Sequence, residues 1–561
     1  MMENHLRNRM AFFRKYIKTA KHDLFMIGVL CVAAWKLTCG LEYFMDIKLS
    51  DESLYLYSGI QISDYGIPKF AEYSPLYAFW YYLLSLFQPD KIQLYYLNYK
   101  VLAGLLPILM YLLFRRYRVS VAESGCLAGF VLLAHANLPV WPKVGHLAVL
   151  LSLLFFLIAT CTNSFDRATL ILSIGALLSS YVRPEFFMTY VLLIGLSLII
   201  AVIKKHFTGK DMYLFVMVIL LSIVCIILLG VPAFSRNGER SFFAFSQHFA
   251  VNWVTWTRSD INPWTNCEEI VTDNFGLVRS IPEAYENNPS VFLKHVVSNL
   301  KNTGKTLTKL LTPKYNKIFL PNNKLFHLIE ITFLFGMIGL YLHSIKKRWL
   351  GKLSSKFQQH KNLFVHFGLY SIPGFIAAII IFPRDHYLLL QSIFFLIVIA
   401  CILIKNPCEN HIIIDRQHVY ILGFLIIAFT PTPENTHPYQ LPGQYQYNLK
   451  TIHFLNSLKI KEQVNLLETE GGGYSIYVGE NYNTILEVEK NTSYEMFMQE
   501  KNLNMIILND TLKEDTRFKD DKEWQLFLTK YESFGFIKIA IDGTPFKLLV
   551  KKDLLYSSEN T

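Results

Sequence analysis

Long apolar runs recur along this chain, separated mostly by short connections that carry charge, and this pattern constrains the fold more than anything else. A bilayer core about 30 Å thick needs roughly 20 mostly apolar residues per helix. The runs at 191–203, 215–231 and 375–382, with their flanks, are of that kind. Over 561 residues, 52% are hydrophobic and 17% charged, and the mean hydropathy is +0.29. That is too apolar for an ordinary soluble protein. Hydropathy places spans near 24–43, 94–114, 121–137, 143–161, 168–182, 185–203, 212–231, 326–345, 363–382, 386–404 and 417–431, which is about eleven helices. Many tyrosines cluster near the predicted span ends, as expected of interfacial aromatic belts.

The net charge of +11 would suit a polyanion partner, but most of the excess falls in short connections between spans, which favours a topological cause over nucleic acid. The N-terminus carries Arg7, Arg9, Arg14, Lys15, Lys18 and Lys21, which places it in the cytoplasm. Alternation then puts Arg115-Arg116-Tyr117-Arg118, Lys204-Lys205 with Lys210, and Lys346-Lys347-Arg348 through Lys361 on the same side. An error of one span would scramble this pattern. The basic leader runs into an apolar stretch too long for a signal core and without a small-residue cleavage site, so the first span reads as a retained anchor. Of the eight cysteines only Cys267 lies well inside a large outer segment, so no disulfide framework is expected. No CxxC spacing suggests zinc.

Two parts follow: a transmembrane domain over 1–431, with large outer loops at 44–93 and 232–325, and an extracytoplasmic domain over 432–561. In the first loop, 53–62 and 75–87 look like helices lying at the interface. Pro431-Thr432-Pro433 and 438–443 form a hinge. Beyond it, Tyr474-Ser475-Ile476-Tyr477-Val478 and Met505-Ile506-Ile507-Leu508 read as buried strands, with 537–541 and 546–550 as a closing pair. Helical stretches near 452–458, 493–501 and 522–531 alternate with them, giving a small α/β domain. Gly471-Gly472-Gly473 invites comparison with a phosphate loop. No Lys-Ser/Thr follows, and the run is expected to precede a strand, so a simple turn is favoured.

The chemistry-bearing residues sit in the outer connections. Asp51-Glu52 follows the first span. One reading is a solvated pair capping a helix that starts at Ser53. The other is a general base, since carboxylates beside low dielectric have raised pKa, and Tyr55, Tyr57 and Tyr65 surround this pair with aromatic surface. Arg183-Pro184-Glu185 marks the outer turn between the fifth and sixth spans. Arg183 there is either an interfacial anchor or a planar fork for a lipid phosphate. Phe382-Pro383-Arg384-Asp385-His386-Tyr387 repeats the arrangement between the ninth and tenth spans, with Arg384 and Asp385 open to a local ion pair. After Val231 come Arg236, Arg240, His248 and Arg258, interleaved with Phe242, Phe245, Phe249 and Trp253. This is a membrane-hugging amphipathic helix or a lid whose Arg240 or His248 reaches substrate. Lys36, His135 and His146 read as structural or interfacial rather than catalytic. No residue pattern specifies a metal site; the acid pair alone is weak evidence for a divalent cation such as Mg or Mn.

In these features the chain resembles the GT-C superfamily of integral-membrane glycosyltransferases, nearest the branch of protein O-mannosyltransferase-like enzymes and bacterial lipid A aminoarabinose transferases. The first-loop pattern Asp-Glu-x-Arg-Tyr of that branch appears as Asp51-Glu52-Ser53-Leu54-Tyr55, with Leu54 in place of the arginine. Its Lys-Pro-Pro-Leu appears as Tyr73-Ser74-Pro75-Leu76, without the lysine. Arg183-Pro184 matches a family outer-turn position, and Arg384 with Tyr387 resembles an Arg-Tyr-Leu segment with two residues inserted. The resemblance implies an inverting transferase that moves a hexosyl or pentosyl group from a polyprenyl-phosphate-linked donor to a hydroxyl or amine of a lipid, glycan or protein. Asp51 would be the base and Glu52 would tune or orient. Arg183, Glu185, Arg240, His248, Arg384, His386 and Tyr387 would bind substrate, the cations among them stabilising the departing phosphate. It also implies a multi-pass inner-membrane protein of the cell envelope. Two alternatives remain open at this level: an O-antigen polymerase or ligase working through Arg and His of the large outer loop, and a lipid or glycan flippase. Neither an inverted repeat nor charges deep within spans favours the flippase.

Overall fold

The apolar runs form helices almost where hydropathy places them. The computed structural model describes residues 2–67, 74–162, 164–204, 209–232, 240–264, 266–312, 314, 349–403, 416–436, 445–485, 493–515 and 518–559. The helices that build the bundle and its connections are α1 (Met2–Thr38), α2 (Asp51–Ile60), α3 (Pro75–Ser85), α4 (Lys91–Arg116), α5 (Val121–Leu133), α6 (Val144–Ala159), α7 (Phe165–Ser180) and α8 (Phe186–Lys204). They continue as α9 (Gly209–Leu229), α10 (Arg240–Thr257), α11 (Pro289–Leu310), α12 (Trp349–Ile380), α13 (Leu389–Leu403) and α14 (Arg416–Phe429). Among the described residues, five stretches are long and apolar enough to cross a membrane: Ala20–Tyr43, Lys91–Arg116, Phe186–Ile203, Asp211–Leu229 and His360–Ile380. The expected span at 326–345 and the basic residues 346–348 lie outside the described residues. Helix α9 leaves Met217, Leu220, Ile227 and Leu228 well exposed, a surface that water would penalise and lipid would not.

Local chemistry sets the helix ends. Asp90 caps α4 by accepting from Gln93 N at 2.8 Å, and Ser120 with Glu123 forms a reciprocal capping box at α5. Gly423 lets α14 lie against α1, since a Cβ there would sit 2.7 Å from Phe25 Cε1. The Lys36 ammonium donates to the carbonyls of Ile427 and Ala428 at 3.1 and 3.3 Å. It closes the C-terminus of α14, where carbonyls lack helical partners. His146 Nε2 likewise bonds Ala136 O at 2.8 Å, and His135 bonds Thr312 O at 3.0 Å. All three side chains bond backbone carbonyls of other segments.

The C-terminal sheet has the order β2-β1-β3-β5-β4, with β1 (Val464–Leu467), β2 (Tyr482–Thr484), β3 (Met505–Leu508), β4 (Phe536–Ala540) and β5 (Lys547–Lys551). Strand β1 runs parallel to β2 and β3, whereas β5 is antiparallel to both β3 and β4. Helix α15 (Tyr447–Ser457) precedes the sheet. One strand assignment is corrected: residues 474–478 belong to α16 (Gly473–Val478). The alternating Tyr-Ser-Ile-Tyr-Val is β-prone, but propensity yields to context. Gly472, at φ 88, turns the chain into a helix whose Tyr474, Ile476 and Tyr477 are all buried. The glycine run therefore precedes a helix, and the short strands β1 and β2, too brief to show a period, went unread.

The crossing of α2 and α3 positions the acid pair. At Gly59 the two helices approach so closely that a Cβ would lie 2.5 Å from Tyr81 Cβ and 2.6 Å from Ala78 O. Both are rigid neighbours, so a side chain there forces the helices apart. Gly59→Ala is expected to destabilise the fold by about 1–3 kcal/mol, visible as a lower midpoint of thermal unfolding in detergent. An unchanged midpoint would show that the crossing is looser than this packing implies.

Candidate functional site

Helix α2 starts at Asp51, two residues earlier than the sequence suggested, and Ser50 at its N-cap makes no side-chain cap bond. The capping explanation for this Ser-Asp-Glu run is therefore not realised through Ser50. The two acids diverge by about 100° around the helix, and their environments are opposite. Glu52 is only 4% exposed. Its Oε1 accepts from Tyr77 Oη at 2.6 Å, from Asn98 Nδ2 at 3.1 Å and from Tyr81 Oη. Tyr77 and Tyr81 are one turn apart on α3 and so share a face, and Asn98 comes from α4. Trp80 Nε1 donates to Asn98 Oδ1 at 2.8 Å, which points the amide's NH2 at the carboxylate. Burial pushes Glu52 up to about 7, opposed by the two tyrosine hydrogen bonds and by Lys143 and reinforced by Asp51. Asp51 is exposed, and among the described residues its carboxylate takes no hydrogen bond or ion pair.

Cations converge on this helix end from three separate connections. Arg183 Nε donates to Glu185 Oε1 at 2.9 Å, and its guanidinium lies 5.0 Å from the centre of the Tyr387 ring. Burial works against the Arg183 charge, but Glu185 foremost, then Tyr387 and Tyr55, hold its pKa above the usual arginine value. Arg384 is lowered, by burial first and also by Arg183, while Tyr387 and Asp51 oppose the shift. Arg384 thus feels both the second guanidinium and the free carboxylate. The open question of an Arg384–Asp385 pair is answered: Asp385 instead accepts from Lys309 Nζ at 2.8 Å. Among the described residues Arg384 has no ion-pair partner.

Lys143, at the N-cap of α6, was not anticipated. Its ammonium sits 3.4 Å from the centre of the Trp141 ring. Burial brings it down to about 8, with Glu52 opposing, and Arg384, Asp385 and Asp51 also bear on it. A lone lysine between Trp141-Pro142 and an apolar run carried the same signal that singled out Arg183. Tyr77, Tyr81 and Asn98 gave no such signal, because polar groups at these positions acquire meaning only when α3 and α4 fold against α2.

His386 lies among these cations, and burial, then Arg183, Lys143 and Arg384, push its pKa well below the histidine norm, leaving a neutral ring. Arg183, Glu185, Thr189, His386, Tyr387 and Gln391 line a cleft. Asp51 is outside that lining and is linked to it electrostatically through Arg384. His248 is buried, stacked on Phe382 with centroids 4.8 Å apart and edge-on to Trp264 at 5.6 Å. Burial, then Arg384 and His295, bring it down to about 3. Arg240 begins α10, and its side chain lies outside the described residues, as does Arg236 altogether. The Arg384 turn is anchored from α11: His295 Nε2 bonds Ile380 O at 3.1 Å, Asn299 Nδ2 donates to Ile379 O at 3.0 Å, and Thr306 Oγ1 donates to Pro383 O at 3.3 Å. No cluster of three or more His, Cys, Asp or Glu side chains forms among the described residues.

Glu52 makes stability depend on pH in a defined direction. Its carboxyl is raised from 4.5 to about 7, so the folded state holds the proton more tightly than the unfolded chain. That contribution is complete below pH 4.5 and is lost as the pH climbs through about 7. Glu52→Gln keeps an acceptor for the tyrosines but cannot ionise. Unfolding midpoints of the two proteins are expected to be close near pH 5 and to separate by pH 8, with the variant the more heat-stable. Parallel curves across that range would contradict a buried titrating carboxyl.

No family model matches the chain, and no curated protein matches it in sequence. Among solved structures it is similar to the archaeal oligosaccharyltransferase AglB from Archaeoglobus fulgidus, determined in complex with an inhibitory peptide and a dolichol-phosphate. That match has a TM-score of 0.41 and 11% identity, and covers 96% of this chain and 75% of AglB. It is also similar to ArnT from Cupriavidus metallidurans in the apo state, with a TM-score of 0.36 and 9% identity, covering 94% of this chain and 97% of ArnT. Overlaps this loose leave the side chains themselves as the basis for assigning chemistry.

Proposed function

We propose that this chain is a membrane glycosyltransferase, moving a sugar with inversion from a polyprenyl-phosphate-linked donor to a hydroxyl or amine at the extracytoplasmic face. The observation that carries this reading is an exposed carboxylate, Asp51, within electrostatic reach of Arg384 and Lys143, with Arg183, held by Glu185, beside Arg384. Such an arrangement meets both demands of the reaction. The acceptor loses its proton to Asp51 as its oxygen or nitrogen bonds to the anomeric carbon. The bond from that carbon to the phosphate oxygen breaks on the opposite face, and its electron pair leaves with the lipid phosphate. Arg384, free of an ion-pair partner among the described residues, receives that charge together with Arg183, which Glu185 and Tyr387 hold in place. Neutral His386 and Tyr387 shape the cleft beside them. Glu52 keeps α2 in register through its tyrosine clamp and so orients its neighbour.

The membrane frame belongs to the same proposal: about eleven spans, a cytoplasmic N-terminus, a catalytic domain over 1–431 and an extracytoplasmic domain over 432–561, in the inner membrane of a cell envelope. The polymerase or ligase alternative asks for a reactive histidine in the large outer loop. His248 is stacked, buried and depressed in pKa, which suits packing against the Arg384 turn better than proton transfer.

Two outcomes are expected when the purified chain in nanodiscs is given radiolabelled polyprenyl-phosphate sugars and release of the lipid phosphate is followed. Asp51→Asn lowers transfer by about 10²–10⁴-fold while the thermal midpoint is kept; full activity in that variant would reject the base. Arg384→Ala lowers turnover by about 10²–10³-fold, and Arg384→Lys restores only part, since an ammonium lacks the planar fork. Equal activity of the alanine and wild-type proteins would remove Arg384 from the leaving-group site.

A further inference from the structure

In the C-terminal sheet the chain passes from β1 to β2 on one side and then crosses to β3 on the other. The carboxyl ends of β1 and β3 therefore flank the point where strand order reverses, the edge at which open parallel sheets hold their ligands. Here that edge faces the chain's own loop before the acid pair. Gly473 packs against Leu49 so tightly that a Cβ would collide with the Leu49 carbonyl oxygen. Lys48 Nζ and Glu470 Oε2 are 3.7 Å apart, and Lys91 Nζ donates to Ile476 O at 2.8 Å.

One contact reaches further, into the first turn of α2. Tyr477 Oη and Ser53 Oγ are 2.9 Å apart, and Ser53 Oγ also donates to Lys48 O at 3.0 Å. A serine hydroxyl has a single proton, so Ser53 must accept from Tyr477. The relay runs from the Tyr477 hydroxyl through the Ser53 hydroxyl to the Lys48 carbonyl. It ties together the residue before Leu49 and the residue after Glu52, both flanking Asp51. Ser53 is fully buried and Tyr477 is only 7% exposed, so water cannot readily replace a lost partner. Other ties between the two units, from Asn448 N to the Asp46 carboxylate and from Gln446 Nε2 to Glu42 O, lie upstream of this turn.

We infer that the C-terminal domain uses its strand-reversal edge as a receptor for residues 48–53, with Tyr477 a positioning residue that sets Asp51 through Ser53. The inference rests on the reading of Asp51 as the base. The extracytoplasmic domain is then part of the transferase site, acting on the acid helix from behind.

The test uses the full chain in lipid nanodiscs and two readouts. Tyr477→Phe should speed hydrogen exchange of amides 51–56 by about fivefold, the worth of one hydrogen bond, with β1 and β3 unchanged. With any polyprenyl-phosphate sugar that turns over, kcat should fall by about fivefold at unchanged KM. Ser53→Ala with Tyr477→Phe should be no slower than the worse single variant, because both break one relay. Gly473→Ala should give a larger effect of the same kind. Unaltered exchange and kcat, independent additive losses, or exchange that rises throughout β1 and β3 would each overturn the inference. Full transfer by Asp51→Asn would instead sink the base reading, and the exchange measurement would still decide whether the domain grips the turn.

Discussion

A carboxyl group buried against two tyrosines and an asparagine organises this end of the molecule. An unpartnered carboxylate removed from water is expensive, so Glu52 is tolerated only because Tyr77, Tyr81 and Asn98 converge on one of its oxygens. Those donors come from α3 and α4, and satisfying Glu52 therefore fixes α2 against both. The close crossing at Gly59 allows the approach, and the Trp80 bond to Asn98 fixes the amide's direction. Asp51, being the preceding residue, has its position decided by its neighbour's burial. The engaged acid and the exposed acid are adjacent in sequence and opposite in environment.

The cations opposite Asp51 pose the reverse problem. Burial lowers the pKa of Arg384 and of Lys143, and a neighbouring guanidinium lowers each further, Arg183 for Arg384 and Arg384 for Lys143. The protein relieves this locally: Glu185 pairs with Arg183, Tyr387 and Trp141 offer ring faces to Arg183 and Lys143, and Lys309 draws Asp385 away from Arg384. Among the described residues Arg384 is left without an ion-pair partner, and α11 holds its turn in place through His295, Asn299 and Thr306.

Much of this was legible beforehand, for physical reasons. Apolar runs near the required length and basic turns are one-dimensional signals, so the helices from α4 to α9 lie within a few residues of their expected positions. Arginines in short turns expected to face outward stand out because they run against the charge bias. Lys143 offered the same signal beside Trp141-Pro142 and was passed over, since a cation–π partner is not visible as a charge partner. The Tyr474–Val478 stretch is helical where its pattern predicts a strand, because a two-residue alternation of β-prone side chains looks alike whether a sheet neighbour or another part of the chain buries it.

Sequence alone determined a mainly helical chain, with runs long and apolar enough to cross a membrane and a small α/β unit at its end, because hydropathy and period depend on neighbours within a few residues. It also singled out the acid pair and the arginine turns, because charge next to apolar runs is conspicuous wherever it occurs. Tertiary structure decided which acid is buried, which arginine lacks an ion-pair partner among the described residues, and that the C-terminal unit packs against residues 48–53. Those outcomes depend on contacts between residues up to several hundred positions apart, such as Ser53 with Tyr477, and no local pattern encodes a partner that distant.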